Sequence, residues 1–258
     1  MSNYIGDNSM TSQFDYLPGF YLRNVSLQPE LRKSIEAVGL AGYAKASRRP
    51  DLILPATKSY VSAIREINNA LSNDLSIKQD SILLSVILLA MFEVMILPRT
   101  SGLQNVTKHL CGATSIATLR LKHGINTEYG KRLLGTLVQA VVLNCWMQNL
   151  TLPADFIVFR EHLGGQLNSS SVHANFLDLI MDLILFRSAL NGGLCESEMI
   201  KSEAFALDAR FKAFGDDLPL GSQFKSYQSI GEIDELVYKG CYHGTSHLVH
   251  LYHWLIEL

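Results

Sequence analysis

The sequence predicts an all-α protein, an irregular bundle of many helices. Three observations carry that expectation. Apolar residues recur every three to four positions over long tracts, and Pro and Gly punctuate the ends of those tracts. No segment alternates apolar with polar residues cleanly enough for a strand.

Residues 1–28 read as an irregular arm, with Pro18-Gly19 marking a turn. The remainder, residues 29–258, reads as a single helical domain. Pro29 starts a helix to Leu40 from the first-turn position that tolerates a missing N–H. Ser47-Arg48-Arg49-Pro50 is a loop. Tyr60, Ile64, Ile67 and Leu71 then form an amphipathic stripe that ends near Ser72-Asn73. Asp80 or Ser81 caps an apolar helix that runs to Leu97 and stops at Pro98. Gln104 to Lys122 follows, closed by Gly124, and Lys131 to Leu150 is apolar on most sides, which predicts deep burial. A short helical piece after Pro153 ends at Gly164-Gly165. Asn168 to Ser171 supplies a cap for Val172–Leu190, Gly192-Gly193 breaks that helix, and Glu196–Phe214 forms another. Residues 220–231 read as loop and 232–258 as helix.

Composition narrows the function classes. The chain has 258 residues, with 48% hydrophobic and 18% charged, enough to bury a substantial core. Its formal net charge of -2 and pI near 6.4 lack the basic excess of a protein that grips nucleic acid alone. The four cysteines, at 111, 145, 195 and 241, stand too far apart for a zinc cluster and read as reduced core thiols of the cytoplasm or nucleus. The N-terminal residues carry no basic and apolar leader pattern. Ser81–Leu97 is too short for a span that wants about 20 apolar residues, and Glu93 within it is costly in lipid. A buried core helix is the expectation, with no membrane partner.

The order of several short motifs adds a resemblance. Asn69-Ala70-Leu71 at a helix end is followed by Phe92-Glu93 in an apolar helix. Then come His109-Leu-Cys-Gly112-Ala113, Leu119-Arg120, Gly130-Lys-Arg-Leu133 and Pro153. Further on stand Leu207-Asp208, Leu218-Pro219 and the Tyr238–Trp254 stretch. Together these resemble the fungal-specific transcription factor domain, the helical regulatory region that accompanies a zinc-cluster DNA-binding module. The resemblance covers roughly residues 56–256 and is strongest before Gly165. It implies a helical regulatory module without its DNA-binding part and shorter at the C-terminus than full members. By that resemblance the chain takes a small hydrophobic metabolite or a protein partner and acts in fungal secondary metabolism; the apolar end Leu251–Leu258 reads as a contact with a second copy of the chain or as a folded-back helix.

Candidate chemistry concentrates near the C-terminus. In a helix His243, His247, His250, Trp254 and Glu257 share one stripe. His243 and His247 have a metal-chelating spacing, but the Glu that a zinc hydrolase places after its first His is missing, so no metal is assigned. Tyr242, His243 and His247 are the candidate catalytic donors, and Trp146, His250, Tyr252 and Trp254 the candidate ligand-binding side chains. Glu93, a charge in an apolar helix, is expected to pair with His109 or Arg120 as a buried structural ion pair, the alternative being a general base. Asp178 and Asp182 share a helical face that suits Mg²⁺ but more simply marks the wet side of an amphipathic helix. No phosphate-loop, dinucleotide or serine-hydrolase motif is present, so no cofactor is expected.

Two readings follow. One is a binding or regulatory module. The other is a cofactor-free biosynthetic enzyme, a cyclase or isomerase in which a helical cavity holds an apolar intermediate while one donor polarises a carbonyl. The cavity would be lined by helices 81–97, 131–150 and 172–190.

Overall fold

A computed structural model of the chain describes residues 16–24, 28–72, 79–96, 99–122, 127–164, 172–192 and 197–217. The described residues are all-α, with no strand among them. The chain divides into two compact units, Met1–Ser169 and Ser170–Leu258.

The first unit contains α1 (Leu17–Asn24), α2 (Pro29–Ala46), a short 3₁₀ turn at Pro50–Leu52, α3 (Ile53–Leu71), α4 (Asp80–Ile96), α5 (Arg99–Lys122), α6 (Glu128–Met147) and α7 (Ala154–Leu163). Helix α4 packs against α2, α3, α5 and α6, and α7 lies on α5. That central position explains the composition of α4. Every residue from Ser81 to Ala90 is buried, so the helix needs apolar side chains all round rather than a single stripe.

Side-chain pairs fix the helix directions. Glu30 meets Ser81, and Asp80 meets both Thr127 and Arg120. The starts of α2, α4 and α6 therefore share one end of the unit with the end of α5. Tyr60, Glu93 and His109 meet toward the other end, so α3 and α5 run antiparallel to α4. On α2 the small residues Ala37, Ala41 and Ala44 are buried, which lets its neighbours approach closely.

Several element boundaries differ from those predicted. The arm expected to be irregular contains α1. Tyr16, Leu17 and Phe20 bury one face of it, and Pro18 sits in the first turn, where it breaks no hydrogen bond. Tyr16 lies 3.3 Å from Thr136 Oγ1, Arg132 covers its ring, and Phe20 meets Tyr129 edge-on, so α1 docks on α6. Helix α2 continues six residues beyond Leu40, to Ala46, and α6 stops at Met147 rather than Leu150. Its end is chain-local. Asn149 takes φ = 57° while the Leu150 and Asn149 amides donate to Cys145 and Trp146, closing a Schellman turn. Helix α7 likewise ends on Gly164, at φ = 46°.

The second unit contains α8 (Val172–Asn191) and α9 (Ser197–Asp216), an antiparallel pair. The Phe176 and Phe214 rings stand 5.9 Å apart, and Asp182 pairs with Arg210 at 2.7 Å. Leu177, Ile180, Ile184 and Leu207 are buried. The helix predicted over 232–258 lies outside the described residues. No helix among the described residues is long and apolar enough to cross a membrane.

Candidate functional site

The densest polar constellation in the first unit is built by three helices. Each contributes by its own periodicity. Tyr60 comes from α3, Glu93 from α4, and Asn105 and His109, four residues apart on one face, from α5. Glu93 is 3% exposed, a carboxylate inside an otherwise apolar helix. Its two oxygens are both engaged. The Tyr60 hydroxyl donates to Oε1, and Asn105 Nδ2 donates to Oε2 at 3.3 Å. His109 Nε2 lies 3.1 Å from the Tyr60 hydroxyl oxygen and 3.8 Å from Glu93 Oε1. Phe92 stacks on the Tyr60 ring at 4.5 Å and holds the phenol in place.

The environment sets the charge states. Burial pushes the Tyr60 hydroxyl far above the usual tyrosine range, and the hydrogen bond to Glu93 pushes the same way, so the phenol stays protonated. Burial lowers the His109 imidazole below its ordinary value, with the Glu93 charge and hydrogen bond opposing that shift.

The sequence paired Glu93 with His109 or with Arg120. The Glu93–His109 contact is present, but Arg120 is engaged elsewhere. It pairs with Asp80 at the far end of α4, where Asp80 Oδ2 also accepts from the Thr127 hydroxyl at 3.1 Å. The physical reason is the geometry of a helical hairpin. Chain reversal between α4 and α5 places residues of constant summed number opposite each other. Glu93 lies thirteen residues beyond Asp80, about 20 Å along the axis, and His109 precedes Arg120 by eleven, about 16 Å. Arg120 therefore reaches Asp80 and not Glu93. One of its nitrogens, Nη1, is buried without a hydrogen-bond partner among the described residues.

The hairpin signal also locates Asn105, opposite Glu93, but not Tyr60, which comes from a third helix. Tyr60 was read only as part of an apolar stripe and Asn105 not at all, yet both close the Glu93 site. At the next interface Asn144 Nδ2 donates to Thr107 Oγ1 at 3.2 Å, with Gln148 beside them. A polar residue opposite a buried carboxylate in an antiparallel pair is the signal that was legible.

Among the other predicted site residues, Trp146 is half-buried near the end of α6. Tyr242, His243, His247, His250, Tyr252 and Trp254 lie outside the described residues. Asp182 is taken by Arg210, as expected for the wet side of α8, and Asp178 is half-buried. Of the two cysteines within the described residues, Cys145 is buried as expected but Cys111 is exposed on α5, so it is not a core thiol. Among the described residues no group of three or more His, Cys, Asp or Glu is placed to hold a metal ion. The helices 81–97 and 131–150 pack together in the first unit, and 172–190 belongs to the second.

Comparison with protein-family models, with curated proteins and with solved structures finds no match for this chain.

Proposed function

We propose that the chain is a helical regulatory module of the fungal transcription-factor type, acting through a protein partner or an apolar metabolite of secondary metabolism. One observation supports this reading best. Phe92-Glu93 and His109, which lie in two separate motifs of that resemblance, are neighbours in space, and their polar groups satisfy one another. A buried carboxylate whose two oxygens are both bonded to protein donors is engaged in holding helices together rather than free to act on a substrate. The net charge of -2 gives no electrostatic basis for autonomous binding to nucleic acid.

The test is deletion of the gene in its native host, with transcripts of neighbouring genes and small metabolites profiled together. Loss of neighbouring transcripts is the expected result. Normal transcripts with one accumulated biosynthetic intermediate would overturn the reading and point to a cofactor-free cyclase or isomerase, with that intermediate as its substrate.

A further inference from the structure

With Glu93 ionised, the proton inventory of the three-helix cluster has one solution. The Tyr60 hydroxyl carries a single proton and donates it to Glu93 Oε1. It therefore has none left for His109, whose Nε2 lies 3.1 Å away. Nε2 must be the donor in that contact. His109 is thus held as the Nε2–H form, and a directed chain runs from Nε2–H to the phenol oxygen and from the phenol O–H to Oε1. The other ring nitrogen, Nδ1, makes no hydrogen bond among the described residues, and 21% of the His109 side chain is exposed to solvent. The chain thus has a buried carboxylate at one end and a basic nitrogen on a partly exposed ring at the other.

We propose that Tyr60, Glu93 and His109 form a proton relay whose entry point is His109 Nδ1 and whose terminus is the Glu93 carboxylate. The step balances with one proton and no change of oxidation state. Hydronium from the solvent supplies a proton to Nδ1: its O–H bond breaks to leave water as the N–H bond forms. The Nε2–H bond breaks as its proton passes to the Tyr60 oxygen, and the phenol's original proton passes to Glu93 Oε1. The product is a neutral imidazole protonated at Nδ1, a neutral phenol and a carboxylic acid. All the contacts survive with their direction reversed. Glu93 O–H now donates to Tyr60, and Tyr60 O–H donates to His109 Nε2. Asn105 continues to donate to Oε2.

Two considerations favour this product over an imidazolium facing a carboxylate. The reversed chain carries no charge in a site where Glu93 is 3% exposed. Burial also works against the imidazolium, since it is the main influence lowering the His109 value. Among the described residues, Glu93 is the one charge that bears on Tyr60 and His109. The charged groups that α2 and α5 bring to the other end of α4, Glu30 beside Ser81 and Arg120 on Asp80, lie about 20 Å away along the helix. Helix α7, on the other side of α5, is anchored by Phe156, Phe159 and Leu163 and leaves Glu161 and His162 exposed. The ligand class for Nδ1 is a single hydrogen-bond donor, water or a hydroxyl, and proton uptake there neutralises a carboxylate that is itself only 3% exposed. The relay holds whether or not the chain is a transcriptional regulator.

The test follows the nitrogen signals of His109 by NMR in the full-length protein as pH is lowered from neutrality, with His109→Gln to assign them and circular dichroism to monitor folding. The expected result is tautomer reversal. Nδ1 gains a proton while Nε2 loses its own, and the ring stays neutral. In Tyr60→Phe, which keeps the aromatic stack on Phe92, the reversal is lost and acid produces imidazolium instead. Imidazolium in the wild type would overturn the proposal. So would an Nδ1–H ring at neutral pH, reversal persisting in Tyr60→Phe, or unfolding before any change at His109. If Tyr60→Phe does not fold, the wild-type titration decides alone.

Discussion

Replacing Glu93 with Gln probes the cluster with almost no change in volume. The carboxylate accepts two hydrogen bonds, from Tyr60 and from Asn105, and is itself only 3% exposed. A bond to a charged acceptor contributes about 1.5–3 kcal/mol and a neutral one about 0.5–1.5 kcal/mol. Gln keeps one carbonyl oxygen for Tyr60, but its amide then faces the Asn105 amide, donor against donor. Rotation of the Asn105 amide relieves that contact and restores a neutral bond. Two charge-assisted bonds thus become two neutral ones, a loss of roughly 2 kcal/mol, offset in part because a buried charge disappears. For a unit of this size that corresponds to a fall in Tm of about 4–8 °C. Glu93→Ala should cost more, about 3–5 kcal/mol, because Tyr60 and Asn105 are left without an acceptor. The assay is thermal unfolding at neutral pH, followed by far-UV circular dichroism. A Glu93→Gln protein that melts within about 1 °C of the wild type would refute the account of Glu93 as the fastening of α3, α4 and α5.

Acid should destabilise the first unit through His109. Its folded value is lowered from 6.5, so below that pH the unfolded chain binds a proton that the native site resists. The associated stability is present above about pH 6.5 and is lost as pH falls toward the folded value; His109→Gln should flatten that part of the Tm–pH curve relative to the wild type. Tyr60 acts at the opposite end. Its value is raised from 10.0, so stability should fall as pH rises past the ordinary tyrosine range, and Tyr60→Phe should remove that fall in an alkaline melting series. Asp80→Ala should destabilise by about 3–5 kcal/mol, measured by urea unfolding, because it leaves the buried Arg120 guanidinium uncompensated; an unchanged midpoint would contradict the pairing. Thr127→Ala should cost about 1 kcal/mol in the same assay, since Thr127 caps α6 by accepting from the Gly130 amide at 2.9 Å and also donates to Asp80.

The sequence alone determined what depends on neighbours within one helix. Its apolar periodicity fixed the all-α class, and the tract from Ile82 to Ala90, apolar on every side except for Ser85, identified α4 as a buried core helix. It also marked Glu93 as a buried charge that needs a partner, because a lone carboxylate is not tolerated there. Where boundaries slipped, the cause lay in interactions that periodicity does not encode. Helix α1 is stabilised by burying Tyr16 and Phe20 against α6, and α6 is closed by a backbone turn through Asn149. Only the tertiary structure decided which charge meets which. A helical pattern gives the face on which a side chain stands but not the axial register of one helix against another, and a shift of one turn moves a side chain by 5.4 Å. In the α4–α5 hairpin that register sends Arg120 to Asp80 and His109 to Glu93. It also brings Tyr60, from a third helix, between the imidazole and the carboxylate, where its single proton gives the cluster a direction.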